Sequence, residues 1–284
     1  MGAVSTSTLI TVAPTGAETA ASDAPALPIT LDSLVSTAQA CEAAGAALIH
    51  IHIRDDDGEP SLDLARLTDT VAAVRECTGL VVQLSTGGAT SDPLDARLRV
   101  LDALPDSCSL TCGTVNFGSN VFLNPWDFIV ELYRRTQELE IVPEFELFDL
   151  GQVAALNRLL EKEGLPYGGH VHADLVLGVP GGAPGTADSV VTMARMLPAG
   201  ASWSATGVGR ATLPVALATL SAGGHLRVGM EDTLTYSPGR PVRDNAELVE
   251  RAATLATLAL RPPMSSDDAR TMLNVKDRRN GVDA

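Results

Sequence analysis

Short apolar runs alternate with longer amphipathic stretches along the whole of this 284-residue chain, and no other feature narrows its fold as much. The runs fall at residues 8–12, 48–53, 80–84, 110–113, 141–146, 171–178, 202–206 and 226–229. Stretches with helical periodicity lie between and after them, at 31–44, 62–75, 93–104, 125–139, 153–163, 187–197, 213–222 and 246–260. Start and stop signals agree with that reading. Thr30, Ser91-Asp92 and Asn124 stand where helices begin, and Gly45, Gly79 and Gly164 follow helical stretches. Eight strand–helix units without a linker predict one (β/α)8 TIM barrel over 1–284, with a C-terminal helical extension at about 264–284. A doubly wound open sheet is the alternative. Its glycine fingerprint is missing after the first strand, and Gly207-Val208-Gly209 is a fragment that comes too late.

Composition limits what such a barrel can meet. Hydrophobic residues make up 45% and aromatics 4%, so the core must rest on Val, Leu, Ala and Ile. Lys and Arg number 20 against 35 Asp and Glu, and a net charge of −15 argues against a general nucleic-acid or anionic-membrane binder. The mean hydropathy of +0.15 and the recurring apolar runs argue against disorder. No Lys or Arg precedes Arg54, which fits neither a signal nor a transit peptide, so a cytoplasmic location is expected. Met1-Gly2 with Thr6 formally matches an acylation pattern, but a core strand begins almost at once. Cys41, Cys77, Cys108 and Cys112 form no C-x-x-C pair and read as reduced, buried hydrophobes, with a catalytic cysteine as the alternative.

The segment Leu48-Ile49-His50-Ile51-His52-Ile53-Arg54-Asp55 carries the strongest chemical signal. Strand alternation puts His50 and His52 on one face, where two imidazoles can converge on one ion if a third ligand comes from elsewhere. Five histidines would give roughly 0.09 such i,i+2 pairs by chance, and the chain has two. The competing reading is a pair of hydrogen-bonded core histidines. The second pair, His170 and His172, opens a strand, whereas the first sits near a strand end, the face where barrel chemistry is built. His50 and His52 are therefore expected as metal ligands, and His170 and His172 as mainly structural.

The eighth strand runs into Arg227-Val228-Gly229-Met230-Glu231-Asp232-Thr233. Adjacent carboxylates there can divide labour, one ligating a cation and the other acting as a base oriented by Arg227. A solvated acidic turn is the bland alternative. Ser85-Thr86-Gly87-Gly88 offers a hydroxyl and close backbone approach to an anionic oxygen, or a plain tight turn. Thr114 and Asn116 share a face at the end of the fourth strand, and Gly178-Val179-Pro180-Gly181-Gly182 reads as a flexible loop or a phosphate-approach loop. Glu144, Glu146 and Asp149 close the fifth strand. One of them turned inward would suit a cationic substrate group, while a charge at a helix start is the alternative. The residues alone support a metal-assisted barrel enzyme acting on a small carbonyl or carboxylate compound.

In order, Thr15-Gly16-Ala17-Glu18-Thr19, Leu27-Pro28-Ile29-Thr30, His50-Ile51-His52-Ile53-Arg54, Ser85-Thr86-Gly87-Gly88, Gly113-Thr114-Val115-Asn116-Phe117-Gly118, Leu177-Gly178-Val179-Pro180-Gly181-Gly182 and Arg227-Val228-Gly229-Met230-Glu231-Asp232 cover nearly the whole chain. This set resembles the β-keto acid cleavage enzymes, most closely those acting on 3-keto-5-aminohexanoate. The resemblance implies one Zn²⁺ on His50, His52 and Glu231, and acetyl-CoA as co-substrate. It implies that a β-keto acid is converted to acetoacetate and a new acyl-CoA. It further implies Asp232 as the base supported by Arg227, Glu18 and Ser85 in the active site, and Gly88, Thr114 and Asn116 on the substrate. It also implies a homo-oligomer, a tetramer, with no organic cofactor. Thr233 and His172 depart from the family's usual residues. The competing readings are another metal-dependent barrel lyase, aldolase or hydrolase, and a non-catalytic metabolite-binding barrel.

Overall fold

The computed structural model describes residues 6–20 and 22–279. Eight parallel strands close into a barrel: β1 (Ile10–Val12), β2 (Leu48–Ile51), β3 (Val81–Leu84), β4 (Ser107–Thr111), β5 (Val142–Leu147), β6 (His172–Leu177), β7 (Ser202–Gly207) and β8 (His225–Val228). Each strand pairs with its chain neighbours, and β8 closes against β1 with Thr11 opposite Arg227. Helices α1 (Leu31–Ala44), α2 (Leu64–Cys77), α3 (Leu94–Arg99), α4 (Trp126–Glu138), α5 (Leu150–Glu163), α6 (Ala187–Met196), α7 (Thr212–Ala222) and α8 (Asn245–Leu258) follow the strands in turn. A (β/α)8 barrel is thus what the alternation produces. Met1 and Gly2 of the acylation pattern, and residues 280–284 of the expected extension, lie outside the described residues.

Local chemistry sets the element ends. Thr30 caps α1 in a reciprocal capping box with Ser33, and Gly45 ends that helix at φ 111°, a conformation that favours glycine. Asp149 accepts from the Gln152 N–H and caps α5, so its charge belongs to a helix start and not to the barrel interior. The apolar core lies between strands and helices in two large clusters. One surrounds Ile49, Val82 and Leu226; the other surrounds Phe145, Leu175 and Tyr133. Burying each such side chain contributes about 1.5–3 kcal/mol, and Phe145→Ala costs roughly 3–5 kcal/mol through the cavity it leaves.

The barrel interior is polar. His50, Gln83, Ser109, Glu146, Asp174 and Arg227 are all buried on alternate strand positions. This explains where the sequence pattern misplaced an edge. Strand β4 begins at Ser107 and not near residue 110, because Ser107 and Ser109 turn their hydroxyls inward, toward Gln83 and Thr86. Polar alternation here marks a strand facing a polar, hydrogen-bonded interior.

Three hairpins that the apolar pattern did not reveal extend the strand ends. Ile53–Arg54 pairs with Pro60–Ser61, Val115–Phe117 with Asn120–Phe122, and Thr235–Ser237 with Arg240–Pro241. All three follow the C-terminal strand ends. At the opposite face, α9 (Ser266–Leu273) packs Ala269 and Leu273 against Leu9, Leu48 and Val81. Its Arg270 joins Arg75 on the fully buried Asp106.

Candidate active site

Strand β2 carries His50 on its inner face, and His52 stands just past the strand end with its ring centroid 5.3 Å away. Beyond β8 the chain turns at Gly229 and returns Glu231 over the barrel. A side chain at Gly229 would strike the Ala13 backbone carbonyl at 1.9 Å, so glycine is required for β8 and the β1 loop to meet. Gly16 is held at φ 65°, and a Cβ there would sit 2.6 Å from Glu231 Cγ. His50 Nε2 lies 3.8 Å from Glu231 Oε1, and His52 Nε2 lies 3.8 Å from Oε2. One ligand atom from each of the three falls within 4.8 Å of the others.

This donor set fits a divalent cation. Glu231 Oε2 is buried with no hydrogen-bond partner among the described residues, a costly state for a carboxylate oxygen unless a cation meets it. Burial, with help from Arg227, pushes His50 down to about 4, and burial lowers His52, so both imidazoles are neutral near pH 7. Two neutral imidazoles and one carboxylate form the three-ligand arrangement that leaves a coordination position open.

The second feature is an excess of buried acid around one guanidinium. Arg227 donates to Glu146 Oε1 at 3.0 Å, to Asp232 Oδ1 and Oδ2 at 3.2 and 3.3 Å, and to Glu231 Oε1. Asp174, fully buried nearby, accepts from Ser204 at 2.7 Å and Thr206 at 2.6 Å. Burial raises Glu146 to about 7 despite Arg227, and it also raises Asp174 and Asp232. Glu231 goes the other way: Arg227 and the two histidines overcome burial and hold it low. The neighbouring carboxylates of the eighth strand are therefore driven apart, one kept ionised and the other made a better proton acceptor near neutrality.

His50, His52, Glu146, Arg227, Glu231 and Asp232 line a cavity of about 210 Å³. Ser85 and Gly88 line it, and the Ser85 hydroxyl accepts from the Gly87 N–H at 3.1 Å. Glu18 stands at the exposed rim, on a loop that Arg54 ties down through the Gly16 and Thr19 carbonyls. Phe117, Phe122 and Phe148, packed edge to face, make the opposite wall with Val176, Val179 and Val208.

Most sequence-singled residues thus converge: His50, His52, Glu231, Asp232, Arg227, Glu18, Ser85 and Gly88 all line one cavity. Thr114 and Asn116 do not. Thr114 accepts from the Asn124 N–H at 2.8 Å, and Asn116 is exposed on its hairpin. Glu146 does point inward, but its Oε1 is taken by Arg227 and its Oε2 by Thr111. Glu144 is buried one layer lower, 3.4 Å from His172. His170 and His172 share the Ser202 hydroxyl at 2.7 Å each, far from the cavity lining. The buried thiols Cys41, Cys108 and Cys112 are pushed above the usual thiol range by burial, whereas Cys77 ends α2 in solvent, contrary to the buried expectation. No cysteine lines the cavity. Sequence reasoning missed Gln83, Asp174 and the phenylalanine wall. A polar residue at the alternating position of an otherwise apolar strand was the available signal for the first two.

A model of the β-keto acid cleavage enzyme family matches residues 7–275. The chain belongs to this family. As a β-keto acid cleavage enzyme it is 36% identical over 270 residues to the 3-keto-5-aminohexanoate cleavage enzyme of Fusobacterium nucleatum, covering 94% of this chain and 98% of that one. It is 33% identical over 272 residues to the 3-oxoadipate:acetyl-CoA acetyltransferase of Cupriavidus necator, covering 94% of both chains. The apo structure of ObcA superposes with a TM-score of 0.77 at 21% identity over 88% of this chain and 66% of that one, a likeness of fold alone.

Proposed function

We propose that this β-keto acid cleavage enzyme condenses a β-keto acid with acetyl-CoA and releases acetoacetate and a new acyl-CoA, with 3-keto-5-aminohexanoate as the leading substrate. The observation that carries the reading is the meeting of His50, His52 and Glu231 within 4.8 Å, beside an Asp232 that burial makes more basic. The names of the relatives support acetyl-CoA as co-substrate.

His50, His52 and Glu231 hold the ion, Zn²⁺ in our reading. Once bound, it supplies Lewis-acid polarisation of the keto oxygen, which acidifies the adjacent CH₂. Asp232 takes the α-proton, and Arg227 orients the accepting carboxylate. The Ser85 hydroxyl and the backbone N–H of Gly88 receive the substrate carboxylate. Glu18 at the rim receives the substrate's ammonium group. The α-carbon then forms a bond to the acetyl carbonyl carbon and expels CoA thiolate. The thiolate adds to the original keto carbon, and the bond between that carbon and the α-carbon breaks. Asp232 returns its proton to the carbanion, completing acetoacetate. No organic cofactor is needed.

No described helix is long and apolar enough to cross a membrane. We place the enzyme in the cytoplasm as a homo-oligomer, a tetramer. Leu258 and Leu260, 75% and 86% exposed, are surfaces that assembly would cover. The test is to incubate the zinc-loaded protein with acetyl-CoA and a panel of β-keto acids. Acetoacetate and the matching acyl-CoA are expected, in equal amounts. No acetoacetate from any panel member would overturn the reading in favour of another metal-dependent lyase, aldolase or hydrolase.

A further inference from the structure

Behind His50, on the side away from Glu231, stands a residue the mechanism has not used. Register pairs His50 on β2 with Gln83 on β3, and both side chains are buried, at 1% and 0% exposure. Gln83 Oε1 lies 2.6 Å from His50 Nδ1, and Gln83 Nε2 donates to Ser107 Oγ at 3.2 Å. The amide is thus held from β4 while its carbonyl faces the imidazole.

We infer that Gln83 is a positioning residue that commits His50 to bind the cation through Nε2. The inference rests on the metal site proposed above. A neutral imidazole carries one N–H, and the nitrogen without it offers the lone pair. An acceptor at 2.6 Å holds the N–H on Nδ1, so the Nε2 lone pair faces Glu231 Oε1 across 3.8 Å. Two acceptors then confront each other with no proton between them, an arrangement that a cation relieves. In the other tautomer Nε2–H would donate to Glu231, and a proton would occupy the ion's place.

An amide suits this position for a second reason. Glu146, Asp174, Glu231 and Asp232 already surround the single guanidinium of Arg227. A carboxylate behind His50 would orient the ring equally well but would add one more anion, whereas the glutamine carbonyl accepts without charge. His52 has no such hydrogen-bond partner among the described residues; Glu231 Oε2 at 3.8 Å and the His50 ring lie against it. The two histidines are therefore unequal, with His50 preset and His52 oriented by the ion.

Zinc affinity, measured by chelator competition on the full-length protein, tests the assignment. Partner groups of this kind are typically worth about 10–100-fold in metal affinity, and that loss is expected for Gln83→Leu. Gln83→Glu, which restores an acceptor, should recover most of it. In ¹⁵N-histidine spectra of the zinc-loaded enzyme, the His50 Nδ1–H proton should persist in the parent and in Gln83→Glu, and exchange away in Gln83→Leu. A Gln83→Leu variant with parental affinity and a retained Nδ1–H resonance overturns the role of Gln83 while leaving the metal site intact. A parent that binds no zinc overturns the metal site and this inference with it. Should Gln83→Leu not fold, Ser107→Ala releases the amide's far end without touching His50. A several-fold weaker zinc affinity supports the assignment, and an unchanged one overturns it.

Discussion

The chain contains the same short pattern twice, two histidines separated by one residue on a barrel strand, and the two copies occupy different worlds. His50 and His52 stand at the C-terminal end of β2, where a buried carboxylate oxygen without a partner faces them across a cavity. His170 and His172 open β6 at the other end, where both rings share the single hydroxyl of Ser202. There His172 Nε2 stands 3.4 Å from a Glu144 carboxylate that, like it, has no hydrogen-bond partner among the described residues, but the cavity does not reach them. The side chains are chemically identical, so what differs is the surroundings. One pair meets a surplus of acid and open space. The other meets a hydroxyl, the lower-lying Glu144, and the ring of His225 at 6.1 Å. Position along the strand is what separates them, because the βα loops and the three hairpins that build the cavity all lie at the C-terminal strand ends.

This contrast can be broken by experiment. The largest effect is expected from His50→Ala with His52→Ala, which should abolish zinc binding and turnover; metal analysis and acetoacetate assays read it out, and activity in the metal-free double variant would end the distinction. Chelation of the parent should mimic that loss, and added Zn²⁺ should reverse it. Asp232→Asn should keep zinc at parental stoichiometry while kcat falls about 10²–10⁴-fold, the usual weight of a general base. His172→Ala lies at the small end. Zinc content should stay at one per chain, and stability in urea should fall by roughly 1–3 kcal/mol, since a buried Glu144 and Ser202 lose their partner. A loss of zinc there would show that the lower pair is not separate from the upper.

Much of this was legible in the sequence for a plain reason. Apolar runs of eight parallel strands, with capping signals such as Thr30 between them, report burial against the outer helices, and that packing is local in character. The histidine pair, the Glu231-Asp232 doublet and Arg227 were visible because each breaks an apolar strand end with a polar or charged group. The rest was hidden by pairing across strands. Gln83 means little until register sets it beside His50, and the burial of Asp174 means little until Ser204 and Thr206 are seen to donate to it from the neighbouring strand. The hairpins escaped because pairs of two or three residues carry too little periodicity. Glu146 was read as a residue that would suit a cationic substrate group, whereas a guanidinium eighty-one positions further along the chain has claimed it.

Arg227 is a strut, not a hand. Its donors are engaged by Glu146, Glu231 and Asp232, which leaves little of it for an incoming anion. The neutral donors of Ser85 and Gly88 attract only at close range, and the chain as a whole carries −15. Under the proposed metal site the ion is the positive charge an incoming anion meets, so the approach of a keto acid and of CoA is opposed at long range by the chain's −15 and favoured only near the ion. Added salt should screen that repulsion and raise kcat/KM at low ionic strength, the reverse of what a positively steered enzyme shows.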